Sequence, residues 1–356
     1  MQVAVTADCH LDERGGHPER YAALEEILSR LGEEDIGELI IAGDLFDRPL
    51  GRYSRFEALC RQYPDVFLHI IPGNHDVGTD SHQSPLGAKS LAIPNATVYD
   101  EVTVEKIGGM PFLFVPYRSG MSMGRAVAEA CDPPDGDWIL VGHGDSSAAS
   151  GVGNSYEEGT YMPLSAAEVD ELSPSLTLLG HIHAPQDLAP LYYPGSPCGM
   201  NINETGPRSF LVLDTGSLDV QRIELETGPV FLRRDFLVLP EEDAEQRLLK
   251  EIGEVRASWS ADIPDLEKRA RIRIRVFGYT PDRSGIVRCL EEGFGDLTFY
   301  EGESPDFSGL RESAGRQRSE LARLVVRRIE EMDWPFGNGE PARGQVVRRA
   351  LEMIYG

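Results

Sequence analysis

The chain has few cysteines, no long apolar run and no excess of positive charge. Its five cysteines (Cys9, Cys60, Cys131, Cys198 and Cys289) are odd in number and scattered without paired spacing. That excludes a disulfide framework and a zinc knuckle, and a reducing cytoplasm is the compartment it suggests. No stretch approaches the ~20 apolar residues of a membrane span, so no membrane partner is expected. The opening residues MQVAVTADCH run straight into a β-prone strand. They show neither the basic nor the apolar segment of a signal peptide, so no leader is expected.

Lysine and arginine number 34 against 59 acidic residues, a formal net charge of −25. The imbalance is uneven. From Glu241 onward there are 19 basic and 23 acidic residues (net −4), whereas the first 240 residues hold 15 and 36 (net −21). An acidic surface repels nucleic acid at long range. Composition therefore speaks against a nucleic-acid substrate, and only motifs can argue for one. The length of 356 residues suggests two or three domains. An apolar content of 41% with 8% aromatics is ordinary for a globular protein that buries a core.

The most informative stretch is Ile70-Ile71-Pro72-Gly73-Asn74-His75-Asp76. The apolar run from Val66 reads as a buried strand, and Pro72-Gly73 stops it. Asn74, His75 and Asp76 then fall at the strand's carboxyl end, where open α/β sheets keep their sites. The same layout recurs along the chain. Gln2 to Thr6 delivers Asp8 and His10, which share a face at i and i+2 in extended backbone. Leu39 to Ala42 ends at Gly43-Asp44-Leu45-Phe46-Asp47-Arg48. Trp138 to Val141 ends at Gly142-His143, and Leu176 to Leu179 ends at Gly180-His181-Ile182-His183. Helical apolar spacing between Pro18 and Leu31, and a second helix over 56–62, complete a βαβαβ pattern, which implies a parallel sheet. Strands at 209–213 and 220–225 read as an antiparallel pair closing a second sheet.

Five of the eight histidines sit in these motifs; His17, His69 and His82 receive no role. Imidazoles and carboxylates with one amide oxygen suit Mn²⁺, Fe²⁺ or Zn²⁺ better than Mg²⁺.

The five motifs, in this order and at strand ends, resemble those of the calcineurin-like metallophosphoesterases over about the first 200 residues. That resemblance implies a four-layer α-β-β-α sandwich carrying two divalent metal ions, Mn²⁺ foremost. One metal would take Asp8, His10, Asp44 and His183; the other would take Asp44, Asn74, His143 and His181, with Asp44 bridging. Two metals about 3.5–4 Å apart can hold a shared hydroxide and offset charge on phosphoryl oxygens. His75 would protonate the leaving oxygen. Asp47 would orient His75 or, alternatively, cap a turn. Arg48 would contact phosphate or stand as a solvated surface charge.

Within that family the likeness is to SbcD-type DNA-repair exonucleases. It rests on Leu179 to Gln186, on Tyr193-Pro194-Gly195-Ser196-Pro197, and on further chain beyond. Arg48 and the stretch from Cys198 to Glu204 depart from that branch. The implied activity is a DNA exonuclease or endonuclease, in the cytoplasm, with an SbcC-like ATPase as partner; a homodimer is also compatible with the chain. The rival is a phosphatase or a cyclic-nucleotide or small-molecule phosphodiesterase on the same core. A non-catalytic module is disfavoured, because every ligand position and His75 are filled.

Three segments are expected: a phosphoesterase domain over 1–239, a small α+β capping domain over 240–310, and C-terminal helices over 311–356. In the second, a strand from Arg269 to Phe277 puts Arg269, Arg271, Arg273 and Arg275 on one face. Those arginines would meet DNA phosphates or pair with nearby carboxylates. The amphipathic helices over 317–332 and 345–355 would dock an ATPase or cover the protein's own core.

Overall fold

The computed structural model describes residues 1–48, 53–76, 91, 93–147, 159–241, 243–312, 318–334 and 343–355. The chain divides into two compact units: Met1–Met200 with Pro207–Pro229, and Asn201–Gly206 with Val230–Gly356. The strand Val230–Val238 thus belongs to the second unit, although the expected boundary lay beyond it at 239. The C-terminal helices belong to that unit too.

In chain order the first unit comprises β1 (Gln2–Thr6), α1 (Pro18–Glu33), β2 (Glu38–Ala42), α2 (Ser54–Cys60), β3 (Phe67–Ile71), β4 (Ala96–Val98), β5 (Thr103–Ile107), β6 (Met110–Val115), α3 (Met123–Ala130), β7 (Ile139–His143), α4 (Ala166–Leu172), β8 (Leu176–Gly180), β9 (Gln186–Leu188), β10 (Leu191–Tyr193), β11 (Ser209–Asp214) and β12 (Val220–Glu224). Two six-stranded sheets result, ordered β12-β11-β1-β2-β3-β4 and β5-β6-β7-β8-β10-β9. The β1-β2-β3 and β6-β7-β8 cores are parallel.

Side-chain alternation sorts the strands into layers. Val3, Val5, Ile40 and Ile71 of the first sheet face Phe112, Phe114, Val141 and Leu178 of the second across one core. Ala4, Leu39, Ile41 and Ile70 point the other way, onto Leu24, Ile27, Leu28 and Leu31 of α1 and Phe56 of α2. Leu113, Leu140 and Leu179 meet Met123 and Val127 of α3 on the outer face of the second sheet. This is the expected α-β-β-α sandwich. One expectation fails: β11 and β12 extend the first sheet, with β11 antiparallel to β1. Both faces of β11 are buried, so its apolar pattern held no clue to its neighbour.

The second unit holds β13 (Val230–Val238), α5 (Ala244–Asp262), α6 (Leu266–Arg269), β14 (Ala270–Thr280), α7 (Arg283–Phe294), β15 (Thr298–Phe299), β16 (Asp306–Glu312), α8 (Ser319–Glu330) and α9 (Arg343–Tyr355). Its strands are parallel, with β14 central. Leu248 and Ile252 of α5 and Ile286 and Leu290 of α7 bury Ile272, Ile274 and Val276. Ala322 and Val326 of α8 pack with Val347 and Leu351 of α9 beside Tyr279 and Phe277. The C-terminal helices therefore do cover part of their own unit. Among the described residues no helix is long and apolar enough to cross a membrane.

Candidate metal centre

The carboxyl ends of β1, β2, β3, β7 and β8 bring the motif residues to one place. The segments leaving β1 and β2 run side by side: Asp8, His10 and Leu11 donate backbone N–H groups to the carbonyls of Gly43, Asp44 and Leu45 at 2.9–3.0 Å. Three groups of candidate ligands arise, Asp8–His10–His183, His10–Asp44–His75 and Asp8–Asp44–His143, each with its ligand atoms within 4.8 Å of one another. Asp8 and Asp44 each belong to two of them. Asp44 Oδ2 lies 3.6 Å from His10 Nε2 and 3.3 Å from His143 Nε2. Asn74 Oδ1 lies 2.9 Å from His143 Nε2. The backbone N–H of His181 donates to both Asp8 oxygens at 2.9 and 3.1 Å, and its buried ring lies edge-on to that of His143.

The backbone is held in costly conformations here. Asp8, His10, Asp44 and His181 have φ of 52°, 43°, 49° and 95°, a region that non-glycine residues rarely occupy. Each such residue costs of the order of 1–3 kcal/mol and persists where the surroundings over-determine it. Glycines leave room for the ligands. A Cβ on Gly43 would sit 2.1 Å from His143 Nδ1, one on Gly73 2.2 Å from Asp44 Oδ1, and one on Gly180 2.0 Å from the Ala42 carbonyl.

The electrostatics fit a cation. Burial drives Asp8 up to about 6 despite the pull of His143 and His183. Burial also opposes the charge on Asp44, but the His143 and His10 imidazoles hold it below the usual carboxylate range. His143 is the mirror image: burial would lower it, yet Asp44 and Asp8 raise it to about 9. Two buried carboxylates thus draw a proton onto the imidazole between them. A divalent cation would supply that positive charge and keep the imidazole neutral, the form that ligates. Carboxylate, imidazole and amide oxygen together make a donor set suited to first-row divalent metals.

A family model for the calcineurin-like phosphoesterases matches residues 1–185, more than half of the 356. The chain belongs to the calcineurin-like phosphoesterase family. Members of that family are hydrolases that use a dinuclear divalent metal site, and this chain has candidate ligand groups for one. A solved structure described as a novel archaeal phosphodiesterase is 16% identical, with a TM-score of 0.35, over 63% of this chain and 100% of that one. No curated protein matches the chain.

The other expected residues of the phosphoesterase differ in how they are placed. His75 Nδ1 lies 3.0 Å from the main-chain carbonyl of Asp47. The contact with Asp47 is thus made through its backbone, where the expectation was its carboxylate. The Asp47 carboxylate turns instead toward Arg20 Nη1 (3.4 Å) and His10 Nδ1 (3.8 Å). Arg48 is exposed. Arg269 ends helix α6 rather than lying in the strand. Arg271, Arg273 and Arg275 do share one face of β14, opposite the buried Ile272, Ile274 and Val276. Arg273 there grips Glu303 with two hydrogen bonds, 2.8 and 2.6 Å. His82, which received no role, lies outside the described residues.

Two residues around the centre were missed from sequence, Arg208 and Arg20, and a third, Asp76, stood in the central motif without a role. Buried Asp76 accepts from the N–H groups of Gly73, Leu45 and Phe46 at 3.0–3.1 Å, tying the Asp44 loop to the Asn74 turn. Buried Arg208 donates to the His183 carbonyl at 3.0 Å. Buried Arg20 donates to the His10 carbonyl at 2.7 Å. The signal for Arg20 was present: positions 20, 24, 27 and 31 form one helical stripe, and its other members are apolar. An arginine inside such a stripe is directed inward.

Proposed function

We propose that this phosphoesterase is a two-metal phosphodiesterase whose substrate is DNA, acting as an exonuclease or endonuclease of the SbcD type in DNA repair. The observation that carries the reaction class is the position of Asp44. One of its oxygens faces both His10 and His143, while the other accepts from the His75 N–H at 2.8 Å. A carboxylate so flanked is fit to be shared by two cations. Asp8, His10, Asp44 and His183 would hold one; Asp44, Asn74, His143 and His181 would hold the other. When bound, divalent cations, Mn²⁺ foremost, would offset charge on the phosphoryl oxygens and acidify a water. The chain's own residues order the proton. The Asp47 carbonyl can only accept, so His75 keeps one hydrogen on Nδ1; as the imidazolium it carries a second on Nε2, and that one would pass to the leaving oxygen.

DNA is favoured by the extended last motif, by Pro194-Gly195-Ser196-Pro197 and by the arginines of β14. The rival, a phosphatase or a cyclic-nucleotide or small-molecule phosphodiesterase, is favoured by exposed Arg48, by the net charge and by the Arg273–Glu303 pair. The SbcC-like ATPase partner is proposed on the exposed Leu321 and Leu324 of α8, and co-purification tests it.

The deciding experiment is Mn²⁺-dependent hydrolysis of labelled linear DNA beside bis-(p-nitrophenyl) phosphate, with Asp44→Ala as control. DNA degradation lost in the control supports the proposal. Cleavage of the small diester alone transfers the substrate to the rival.

A further inference from the structure

Arg20 is out of place by ordinary rules. It sits on the inward stripe of α1, 5% exposed, beside Leu24 and Tyr21 in the helix–sheet layer. A buried guanidinium is costly unless its donors are engaged, and a positive charge near a cation centre weakens cation binding by repulsion. An apolar residue would avoid both costs. The reason for an arginine is what it holds. Nη1 donates to the His10 carbonyl at 2.7 Å and faces Asp47 Oδ1 at 3.4 Å. Asp47 in turn donates its N–H to the Leu11 carbonyl at 3.3 Å, and its own carbonyl accepts from His75 Nδ1 at 3.0 Å. The His10 and His75 rings meet edge to face, with centroids 4.6 Å apart. One guanidinium therefore backs the strained His10 peptide and fixes the residue whose carbonyl aims His75. Both acceptors are met by the one nitrogen Nη1, whose place is fixed by the rigid guanidinium plane; a lysine ammonium ends a flexible stem.

We infer that Arg20 is a positioning residue for His75, acting through Asp47: it turns the Asp47 carboxylate away from the imidazole, so that the main-chain carbonyl is the part of Asp47 that meets the ring. The catalytic part of this inference rests on the role proposed for His75 above. Arg20→Gln and Arg20→Lys are expected to lower kcat by roughly 10- to 100-fold, the scale of a misplacement near 1 Å. KM and the two-ion Mn²⁺ stoichiometry should be unchanged. In a His75→Ala background Arg20→Gln should cost nothing further, because coupled residues do not add. An equal loss in both backgrounds would overturn the inference, since Arg20 would then act elsewhere.

A second readout needs no turnover. In the Zn²⁺-loaded full chain, ¹⁵N spectra of the neutral His75 ring should show its hydrogen held on Nδ1, and Arg20→Gln should average the two ring nitrogens; the imidazolium that serves as acid carries a second hydrogen on Nε2. Unchanged ring shifts would defeat the inference even if the substrate reading held. Should no phosphodiester be cleaved, these spectra still decide Arg20. Asp47→Asn approaches the same link from the solvent side and covers the case in which Arg20 variants fail to fold. It should give the same ring averaging, and an unchanged ring there would equally overturn the inference.

Discussion

Replacing Gly73 by alanine should switch off the centre without unfolding the protein. The position does not need left-handed backbone, so alanine brings no dihedral strain there. It brings only a methyl carbon, 2.2 Å from Asp44 Oδ1, 2.4 Å from Asp44 N and 2.8 Å from Asp44 Cγ. Real Cβ atoms do not approach closer than 3.0 Å, so the carboxylate must retreat by about 0.8 Å or more. Asp44 is the residue that faces both His10 and His143, so one displacement disturbs both halves of the site. Catalytic geometry is useful only within about 0.5 Å, and a 1 Å misplacement can cost ~100-fold. Gly73→Ala should therefore lower kcat for bis-(p-nitrophenyl) phosphate about 100-fold and weaken Mn²⁺ binding in calorimetric titration. The Asp44 backbone must give way as well, so the melting temperature should fall by several degrees, the scale of about 1–3 kcal/mol for an overpacked site. Full activity with both ions bound at wild-type affinity would refute the steric reasoning, because Asp44 would then have room that the structure denies it.

Other outcomes follow from single contacts. His75→Asn should lose on the order of 10²–10⁴ in kcat and keep its metal content by elemental analysis; metal lost in parallel would make His75 a ligand. Buried His69, held between Tyr99 Oη and Glu38 Oε2 at 2.8 Å each, is kept below the ordinary imidazole range by burial, against the opposing pull of Glu38. The unfolded state then binds the proton more readily, so this contribution is complete above about pH 6.5 and is lost as the pH falls below it. Urea titrations of His69→Phe from about pH 7 to pH 5 should show a shallower acid loss than wild type; an identical slope would remove His69 as its source. Gly253 is exposed inside α5, with open space around a Cβ. Gly253→Ala should stabilise the second unit by about 0.5–1 kcal/mol, read by denaturant midpoint; a loss would mean that the helix is contacted there.

The sandwich was legible because the candidate ligands follow short apolar runs, with a glycine directly before Asp44, Asn74, His143 and His181 though none before Asp8. That punctuation survives without any knowledge of tertiary contacts. What could not be read depends on partners distant in sequence. β13 carries Arg233, Arg234 and Asp235 in its middle, and all three are exposed. The run follows neither the strand nor the helix period, so it carries no local signature. β16 is short, polar and interrupted by Gly309. Asp47 was singled out for its carboxylate, and it is the competing attraction of Arg20 that makes its carbonyl the group that matters. Of the four arginines read as one face, Arg271, Arg273 and Arg275 share it and Arg269 ends α6; only the fold reveals Glu303 opposite Arg273.

The neighbours of β1 have a consequence for how the protein is made. On one side β1 pairs with β2, with Ala4 opposite Leu39; on the other it pairs with β11, with Gln2 opposite Asp214. During synthesis the first strand can find one neighbour within about two seconds, at ~20 residues per second. Its second neighbour, beginning at Ser209, emerges only after about 170 residues beyond the end of β2 at Ala42. Until then one edge of β1 is open, with unpaired backbone groups that invite association with other chains. The strand that delivers Asp8 is thus synthesised well before the neighbour that encloses its second edge. Misfolding of nascent chains should therefore concentrate before β11 emerges.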